Sequence, residues 1–409
     1  MRLVIINHSD THGGAAIAMM RLMNALQAAG HDVSMIVSER GSTRSDVVLS
    51  GSSWTRRVAF LRERLDVMTA NGWRRDTLFR VDPATRGIDV SAHPLVARAD
   101  AILLGWVNQA TLSLDDVDRL LATGKPVLWV MHDRWNMTGV CHVTGSCDRY
   151  TSQCGACPLL RGETIDLSTV TQGRKAMTYK ASNLHFIAVS HWLMASARLS
   201  SLMRESDITV IPNAIDAKTY NPTRLNDAMW GDMGGKVVVA FGAARLDDPV
   251  KGLPLLAEAS RYIAATSPAL ASRLHIVFYG GVRDSATLDT VALDHTYVGY
   301  VDDPRDVYRR SDIVLSTSEV ESFGYTLLEG MACGCVPVTT GGGGQRDIVD
   351  HLVNGYVARS NAEDVARGLG WAADCRLERN ALHRSALRFD AAVIARQYAN
   401  LLNALVGSH

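Results

Sequence analysis

The chain has 409 residues, with 42 basic and 42 acidic side chains and 47% hydrophobic residues. Its length exceeds one ordinary hydrophobic core and suits two domains. Balanced charge gives no global field to attract nucleic acid, so no nucleic-acid partner is expected. The apolar start of the chain is too short for a signal-peptide core, and no run reaches the ~18 apolar residues of a membrane span. We therefore expect a cytoplasmic protein.

The first elements in chain order are a strand, a helix and a second strand. Residues 3–6 are predicted as a strand, residues 15–29 carry an apolar stripe with helical spacing, and residues 33–37 form the next strand. The loop before the helix contains Gly13 and Gly14, which let backbone approach a ligand closely. Sheets built this way bind ligands at the carboxyl ends of their strands, so this loop is a candidate site.

A basic and aromatic stretch follows at residues 54–80. It contains seven arginines and three acidic residues, interleaved with Trp54, Phe60, Leu61, Leu65, Trp73 and Phe79. A helical segment of this composition is typical of peripheral contact with an anionic membrane, where lipid-linked acceptors are found. The alternative is a solvated arginine face over a stripe of core residues, because amphipathicity serves both.

Two further strands are predicted in the first half of the chain, at residues 101–104 and 126–131. His132 and Asp133 come directly after the second of these strands. Active-site residues collect at the carboxyl ends of parallel strands. A single histidine is more often structural, but this position makes His132 a candidate site residue, with Asp133 orienting its ring or binding an acceptor.

Four of the seven cysteines lie close together, at Cys141, Cys147, Cys154 and Cys157. Four thiolates can hold a tetrahedral zinc, and a closing Cys-x-x-Cys is the tight pair that favours it. The first spacing is wider than usual, so free thiols and disulfides are the alternatives. The zinc would be structural, holding the loop at residues 141–157.

The second half of the chain opens with a β-rich run at residues 236–241, followed by a loop that contains Arg245 and Lys251. An arginine and a lysine after the first strand of a domain suit a diphosphate, the arginine by bidentate hydrogen bonds and the lysine as a point charge. As an isolated pair they would more often be surface charges. Strands at residues 275–279 and 296–298 and a helix at residues 307–310 follow.

The most informative stretch is a strand at residues 311–317, a loop and a helix at residues 325–333. The first N–H groups of such a helix favour an anion such as a phosphate. Glu321 and Glu329 flank that position and would repel the phosphate, so in a ligand site they should face uncharged hydroxyl groups. A nucleotide sugar has this layout. The alternative is that Glu321 caps the helix and Glu329 lies on a solvated face.

The string SEVESFGYTLLEGMACGCVPVTT, which contains both glutamates, resembles the signature of the retaining glycosyltransferases of the GT-B fold, family four (glycosyl transferases group 1). SDTHGGAA resembles the glycine loop of that family, and MHDRWNMTG its histidine segment. The loop with Arg245 and Lys251 resembles the phosphate clamp, one residue longer than the commonest pattern. Ser316 and Thr317 replace a common Pro-Ser pair, and Asp347 replaces a glutamate.

The resemblance implies an α/β fold of two Rossmann-like domains facing across a cleft. Residues 1–208 would form the acceptor-side domain, residues 209–390 the nucleotide-sugar domain, and residues 391–409 a helix crossing back to the first domain.

It also implies residue roles. The residues expected to bind the donor are Gly13, Gly14, Arg245, Lys251, Glu321, Phe323, Gly324, Tyr325 and Glu329. The catalytic group would be His132, Glu321, Lys251 and Arg245. The residues assigned to the acceptor are Asp133, Trp106 and Asn108.

The reaction implied by the resemblance is retaining transfer of a sugar from a nucleoside-diphosphate sugar, UDP rather than GDP, to a hydroxyl of a glycan, glycolipid or small molecule. No divalent metal cofactor is required in that scheme. The alternatives are a GT-B epimerase or phosphorylase, and a noncatalytic protein that binds sugar nucleotides.

Overall fold

The structure is a computed structural model that describes residues 1–225, 233 and 235–407. The chain divides into two compact units. Unit 1 contains Met1–Ala214 together with the residues from Ile394 onward, and unit 2 contains Ile215–Val393. The first boundary therefore falls between Ala214 and Ile215, whereas the sequence places it between residues 208 and 209.

Unit 1 is built on a seven-stranded, wholly parallel sheet. Its strands are β1 Arg2–Ser9, β2 Asp32–Glu39, β3 Val47–Leu49, β4 Ala101–Leu104, β5 Val127–Met131, β6 Leu184–Ala188 and β7 Ile208–Val210. Its helices are α1 Gly14–Ala28, α2 Ser53–Ala70, α3 Pro94–Arg98, α4 Leu114–Leu121, α5 Leu167–Thr178 and α6 His191–Leu199.

The strand order in unit 1 is β3-β2-β1-β4-β5-β6-β7. The order reverses between β1 and β4, and the loops that leave these two strands diverge to opposite faces of the sheet. Such a reversal opens a crevice at the carboxyl ends of the strands, where doubly wound sheets bind ligands. The sheet is buried on both faces, which is why β4 and β5 are continuous apolar runs without alternation.

Unit 2 repeats this arrangement with a six-stranded, wholly parallel sheet in the order β10-β9-β8-β11-β12-β13. Its strands are β8 Val237–Arg245, β9 Leu274–Gly281, β10 His295–Tyr297, β11 Ile313–Ser316, β12 Val336–Thr339 and β13 Tyr356–Val357. Its helices are α7 Leu253–Thr266, α8 Pro268–Ala271, α9 Arg305–Arg310, α10 Tyr325–Ala332, α11 Ala362–Asp374 and α12 Arg379–Ala386. Here the order reverses between β8 and β11, so the loops after those strands flank the crevice.

The last helix, α13, runs over Ala391–Val406 and buries one stripe along its length, formed by Ile394, Tyr398 and Leu402. These residues recur at intervals of four, which places them on one helix face. They fall in the segment that groups with unit 1. The sequence predicts this helix at residues 391–409, of which 408 and 409 lie outside the described residues.

The predicted fold class, two Rossmann-like α/β domains, is confirmed by these two parallel sheets with alternating helices. The basic stretch at residues 54–80 is helical only as far as Ala70. Asn71 ends the helix, Gly72 has φ 72°, and the side chain of Asn71 donates to the carbonyl of Arg74. An Asn-Gly pair is a common helix terminator because both residues tolerate turn conformations.

Among the helices of residues 1–225, 233 and 235–407, none combines the length and the apolar character that crossing a membrane requires.

Candidate functional site

In unit 2, the loop after β8 packs directly on the loop after β11. Gly252 has φ 75°, and a side chain there would place its first carbon 1.9 Å from the carbonyl oxygen of Thr317. The Thr317 hydroxyl donates to the Gly252 carbonyl at 2.8 Å, and the backbone N–H of Glu319 donates to the carbonyl of Val250 at 2.9 Å. Only glycine permits both the dihedral angle and the approach. The two loops that flank the crevice of this sheet are therefore fixed to each other.

This contact brings Lys251 and Glu321 together. Lys251 Nζ lies 2.8 Å from Glu321 Oε1, with 32% of the lysine side chain and 24% of the glutamate side chain exposed. The two residues are 70 positions apart in the sequence. The pair is accessible to solvent, and both groups keep hydrogen-bonding capacity for a ligand. A cation and a carboxylate at this point can serve a diphosphate and a hydroxyl respectively.

A third loop, after β12, supports the backbone that carries Glu321. Side chains at Gly342 and Gly343 would stand 2.1 Å from the carbonyl of Glu319 and 2.0 Å from that of Glu321. The N–H of Gly344 donates to the Glu321 carbonyl at 2.8 Å. The glycine run therefore allows one backbone to lie on another, which fixes the position of Glu321.

Glu329 is buried on α10, with 8% of its surface exposed. The Tyr308 hydroxyl donates to Glu329 Oε2 at 3.2 Å, and the hydroxyls of Tyr279 and Tyr308 are 2.6 Å apart. Burial raises the pKa of both tyrosines, so they act as neutral hydroxyls. The chain from Tyr279 to Glu329 holds the carboxylate in one orientation. Glu329 is thus not on a solvated helix face.

The other predicted donor residues of unit 2 have different surroundings. Arg245 is half exposed and binds Asp247, two positions away, at 2.9 Å. Phe323 is buried and packs edge-on against Tyr325 at a centroid distance of 5.5 Å. Gly324 precedes α10 with φ 112°. Only backbone at Phe323 and Gly324 is available to a ligand, whereas the guanidinium of Arg245 is exposed beside its carboxylate.

In unit 1, the loop that leaves β4 is tied to the end of β1. Trp106 N–H donates to Asn7 Oδ1 at 2.7 Å, and His8 N–H donates to the Trp106 carbonyl at 2.8 Å. This contact lies at the reversal of strand order between β1 and β4. The same segment contains Trp106 and Asn108, which were assigned to the acceptor from the sequence. Asn108 is buried, and its Nδ2 has no hydrogen-bond partner among the described residues.

Asp133 is the centre of a polar and aromatic cluster at the carboxyl end of β5. Its Oδ2 accepts from Trp106 Nε1 at 2.9 Å and lies 2.8 Å from His142 Nδ1, while its Oδ1 accepts from the N–H of Trp135 at 2.7 Å. Burial alone would raise the pKa of Asp133, but His142 and these hydrogen bonds outweigh it and lower that pKa. The ring of His8 stands edge-on to Trp106 at 5.5 Å. The cluster offers a carboxylate, two imidazoles and an indole.

His132 occupies a different environment from Asp133, although the two are adjacent. Its Nε2 is buried without a hydrogen-bond partner among the described residues. Burial lowers the pKa of His132 to about 4, and the nearby Asp133 carboxylate only partly opposes this. His132 is therefore a neutral imidazole near pH 7, suited to a hydrogen bond with an uncharged group and not to holding a phosphate.

The glycine loop of unit 1 is open. Gly13 has φ 92° and precedes α1, and a side-chain carbon at Gly13 or Gly14 would meet nothing within 4 Å. Both residues are exposed. The first turn of α1 is therefore exposed, and donor binding by Gly13 and Gly14 stays a prediction.

All four clustered cysteines line one small cavity of about 20 Å³ in unit 1. They are free thiols, so no disulfide joins Cys141, Cys147, Cys154 or Cys157. As the side chains stand, no three His, Cys, Asp or Glu groups within the part of the chain described here are arranged to hold an ion. The cavity brings together four cysteines, of which the first, Cys141, and the last, Cys157, are 16 positions apart in the sequence.

Three residues of these sites were not singled out from the sequence. His142 directly follows Cys141 and was not assigned a role, although a histidine nine residues after Asp133 was the available signal. Tyr308 and Gln345 depend on tertiary contacts: Tyr308 reaches Glu329 from α9, and Gln345 is fully buried with both side-chain polar atoms unpartnered among the described residues. No local pattern marks such residues.

The comparisons with known proteins agree with this geometry. The family described as Glycosyl transferases group 1 matches residues 235–388. The chain is similar to a D-inositol 3-phosphate glycosyltransferase of Saccharomonospora viridis, at 29% identity over 259 residues, which are 59% of this chain and 58% of that protein. It spans less than half the length of several other curated relatives that it matches.

Two solved structures share the fold along the whole chain. Sucrose-phosphate synthase of Thermosynechococcus elongatus has a TM-score of 0.67 at 16% identity, covering 100% of this chain and 99% of that one. Anabaena HepE in complex with UDP and glucose has a TM-score of 0.60 at 16% identity, covering 99% and 100%. The segment 235–388, which matches the glycosyl transferases group 1 family, contains the contacts of Lys251, Glu321 and Glu329 described above. The resemblance seen in the sequence is therefore confirmed for this segment, and the chain as a whole has the GT-B fold of these solved structures.

Proposed function

We propose that the chain transfers a sugar from a nucleoside-diphosphate sugar to a hydroxyl group with retention of anomeric configuration. The observation that carries this proposal is the pairing of Lys251 with Glu321 at the strand-order reversal of unit 2. The site offers one cation for a diphosphate and two oriented carboxylates, Glu321 and Glu329, for hydroxyls. A nucleotide sugar has the matching layout, with a charged diphosphate between two groups that carry hydroxyls.

In this reaction the bond between the anomeric carbon and the diphosphate oxygen breaks, and the acceptor oxygen bonds to the same face of that carbon. The acceptor proton passes to the leaving diphosphate oxygen. Lys251 and the N-terminus of α10 stabilise the charge that develops on the diphosphate. Arg245 joins them by exchanging Asp247 for a phosphate oxygen. These protein groups neutralise the leaving group without a divalent ion, so we propose that catalysis needs no metal.

Glu329 binds the ribose hydroxyls, and Glu321 binds hydroxyls of the transferred sugar. A buried carboxylate held by Tyr308 accepts hydroxyl donors at fixed angles, which suits the two adjacent hydroxyls of a ribose. Glu321 is more exposed and trades its contact with Lys251 for the sugar when the diphosphate takes the lysine. UDP is the proposed nucleotide; HepE, which shares the fold, was solved with UDP and glucose.

The acceptor hydroxyl is proposed to bind in unit 1 beside Asp133. With Nδ1 of His142 on the carboxylate, Nε2 is the ring nitrogen that can contact a ligand. Trp106 offers an aromatic face next to these polar groups, 5.4 Å from the His142 ring. Sugars pack their apolar faces on aromatic rings and direct hydroxyls to carboxylates and imidazoles. A glycan, a glycolipid or a small polyhydroxylated acceptor would fit this cluster of polar and aromatic side chains.

A lipid-linked acceptor is favoured by the surface of α2. Trp54, Leu61 and Leu65 are exposed and spaced seven and four residues apart, which places them on one helix face. Trp73 and Phe79, also exposed, follow the helix, and arginines accompany them. We propose that this surface rests on anionic lipid on the cytoplasmic side of a membrane. Sedimentation with anionic and with neutral vesicles at low salt tests it. Failure to bind the anionic vesicles contradicts the proposal.

An assay of nucleotide release separates the proposed transferase from its alternatives. The chain is incubated with UDP- and GDP-sugars, with and without a panel of glycan, glycolipid and polyol acceptors. A transferase releases the nucleoside diphosphate faster with the right acceptor, and the product keeps the anomeric configuration of the donor. An epimerase would interconvert donors without release, a phosphorylase would need inorganic phosphate, and a sensor would bind donor and turn over nothing. Any of these three outcomes contradicts the proposal.

A further inference from the structure

We infer that Cys141, Cys147, Cys154 and Cys157 bind one structural zinc ion in the cavity that they line. The cavity, about 20 Å³, suits a single small occupant. Four soft sulfur ligands are the donor set of a closed, four-coordinate zinc site. This site lies in unit 1, outside the donor site of unit 2, and the inference does not depend on the proposed sugar transfer.

The backbone around these cysteines already serves their sulfur atoms. The N–H of Gly139 donates to Cys154 Sγ at 3.2 Å. Hydrogen bonds from backbone to sulfur stabilise thiolate ligands and orient them, as surrounding hydrogen bonds do for other metal ligands. Neutral thiols, which are weak acceptors, gain little from such bonds.

The tight Cys-x-x-Cys turn has a backbone that its sequence would not adopt by itself. Gly155 and Ala156 have φ 155° and 42°. A left-handed alanine costs about 1–2 kcal/mol, so surrounding contacts must impose it. The N–H of Cys157 donates to Asp166 at 2.7 Å, and the N–H of Cys154 donates to Gln172 at 2.7 Å. One end of the turn is thus anchored to the N-cap residue of α5 and the other to the middle of that helix.

Charge also favours a thiolate cluster at this place. Lys175 is fully buried on α5, and its Nζ donates to the carbonyls of Trp135 and Thr138. Burial makes this ammonium unfavourable, and the carboxylates of Asp82 and Asp133 lie close enough to offset part of that cost. Zinc with four thiolates carries a net charge of −2, and Lys175 lies close enough to Cys141 and Cys154 to interact with them. The lysine would offset part of that charge.

The thiols line the cavity but do not yet form a tetrahedron. Rotation about the Cα–Cβ bond between staggered positions can swing a thiol from the wall into the cavity. The ion would then fix the segment that carries His142, the neighbour of Cys141, against Asp133. The zinc would support the acceptor side without touching substrate.

The test is metal analysis of the full chain purified without chelators or added metals. We expect about one zinc per chain, released when a mercurial blocks the thiols, and all seven cysteines reactive in denaturant with a chelator. Cobalt bound in place of zinc should show the charge-transfer bands of a tetrahedral thiolate site. Less than about half an equivalent of zinc, or disulfides within the cluster, overturns the inference.

Two variants sharpen this test. Cys157→Ser should lose the zinc, whereas the matched control Cys375→Ser, at a half-exposed cysteine in unit 2, should keep it. If Cys157→Ser does not fold, zinc content and cobalt spectrum of the unaltered chain still decide. Equal zinc in both variants contradicts the assignment of the ligand.

Discussion

The ion pair between Lys251 and Glu321 leads to opposite predictions for its two members. In the donor-free chain each neutralises the other at 2.8 Å. A diphosphate must compete with Glu321 for the lysine. Removing the lysine should therefore weaken binding of the nucleoside diphosphate, whereas neutralising the glutamate should not. We compare Lys251→Ala with Glu321→Gln, using UDP and GDP alone and then the matching nucleotide sugar.

The magnitudes follow from the exposure of the pair. A hydrogen bond to a charged group contributes about 1.5–3 kcal/mol, or roughly 10- to 150-fold in Kd. Because Lys251 gives up Glu321 on binding, we expect the lower end, a loss of about 10-fold for UDP. A partly exposed ion pair is worth about 0.2–1 kcal/mol, so Glu321→Gln should tighten UDP by roughly 1.5- to 5-fold. The same variant should weaken binding of the nucleotide sugar, because the sugar hydroxyls lose the Glu321 carboxylate as a hydrogen-bond acceptor.

Isothermal titration calorimetry at fixed ionic strength measures these affinities. The matched control is Lys236→Ala, which removes an ion pair with Asp294 in the same unit but away from the crevice. We expect it to leave both affinities unchanged. Wild-type UDP binding by Lys251→Ala refutes the reasoning. So does a Glu321→Gln variant that loses UDP and nucleotide sugar equally, because the carboxylate would then contact the nucleotide itself.

Three further predictions concern single side chains. Tyr308→Phe removes the hydrogen bond to Glu329 and should weaken binding of UDP by about 1 kcal/mol, or roughly fivefold in Kd. Calorimetry should show little effect on binding of free diphosphate. Gly252→Ala combines a positive φ with a 1.9 Å clash and should lower the Tm more than Gly299→Ala, which has φ 79° and open space; equal losses would contradict the close packing. Burial lowers the pKa of the His132 imidazole from 6.5 to about 4, so the unfolded chain takes up this proton at a higher pH than the folded chain. The free energy of unfolding should therefore be unaffected by His132 above about pH 6.5 and should fall by roughly 3 kcal/mol as the pH falls towards 4. Denaturant titrations at pH 7 and pH 4.5 should show that His132→Gln reduces this loss, and an unchanged loss would place the acid sensitivity elsewhere.

The elements around the donor site could be predicted because their signals are local. The apolar run before the loop, the glycine at 324 and the periodicity after it predict a strand and a helix, and β11 and α10 confirm both. The end of α2 at Ala70 was missed, although Asn71 and Gly72 are a terminator visible in the sequence. Composition suggested a longer helix than local turn chemistry allows.

Contacts between secondary-structure elements could not be predicted from local sequence patterns. The sequence shows that Lys251 and Glu321 each follow a strand, but their 2.8 Å contact depends on β8 and β11 being neighbours in the sheet. Tyr308 precedes Glu321 by 13 positions and reaches Glu329 only through the packing of α9 and α10. For the same reason the contact of His142 with Asp133 could not be predicted from the sequence. Distances of this kind follow from tertiary packing, which no periodicity encodes.

The central claim is that the crevice of unit 2 binds the diphosphate of a sugar donor, and a crystal structure of the chain with UDP tests it most directly. We predict the diphosphate within hydrogen-bond distance of Lys251 Nζ and of the first N–H groups of α10, with the ribose hydroxyls on Glu329. A diphosphate bound elsewhere, or a ribose that does not contact Glu329, would contradict the account.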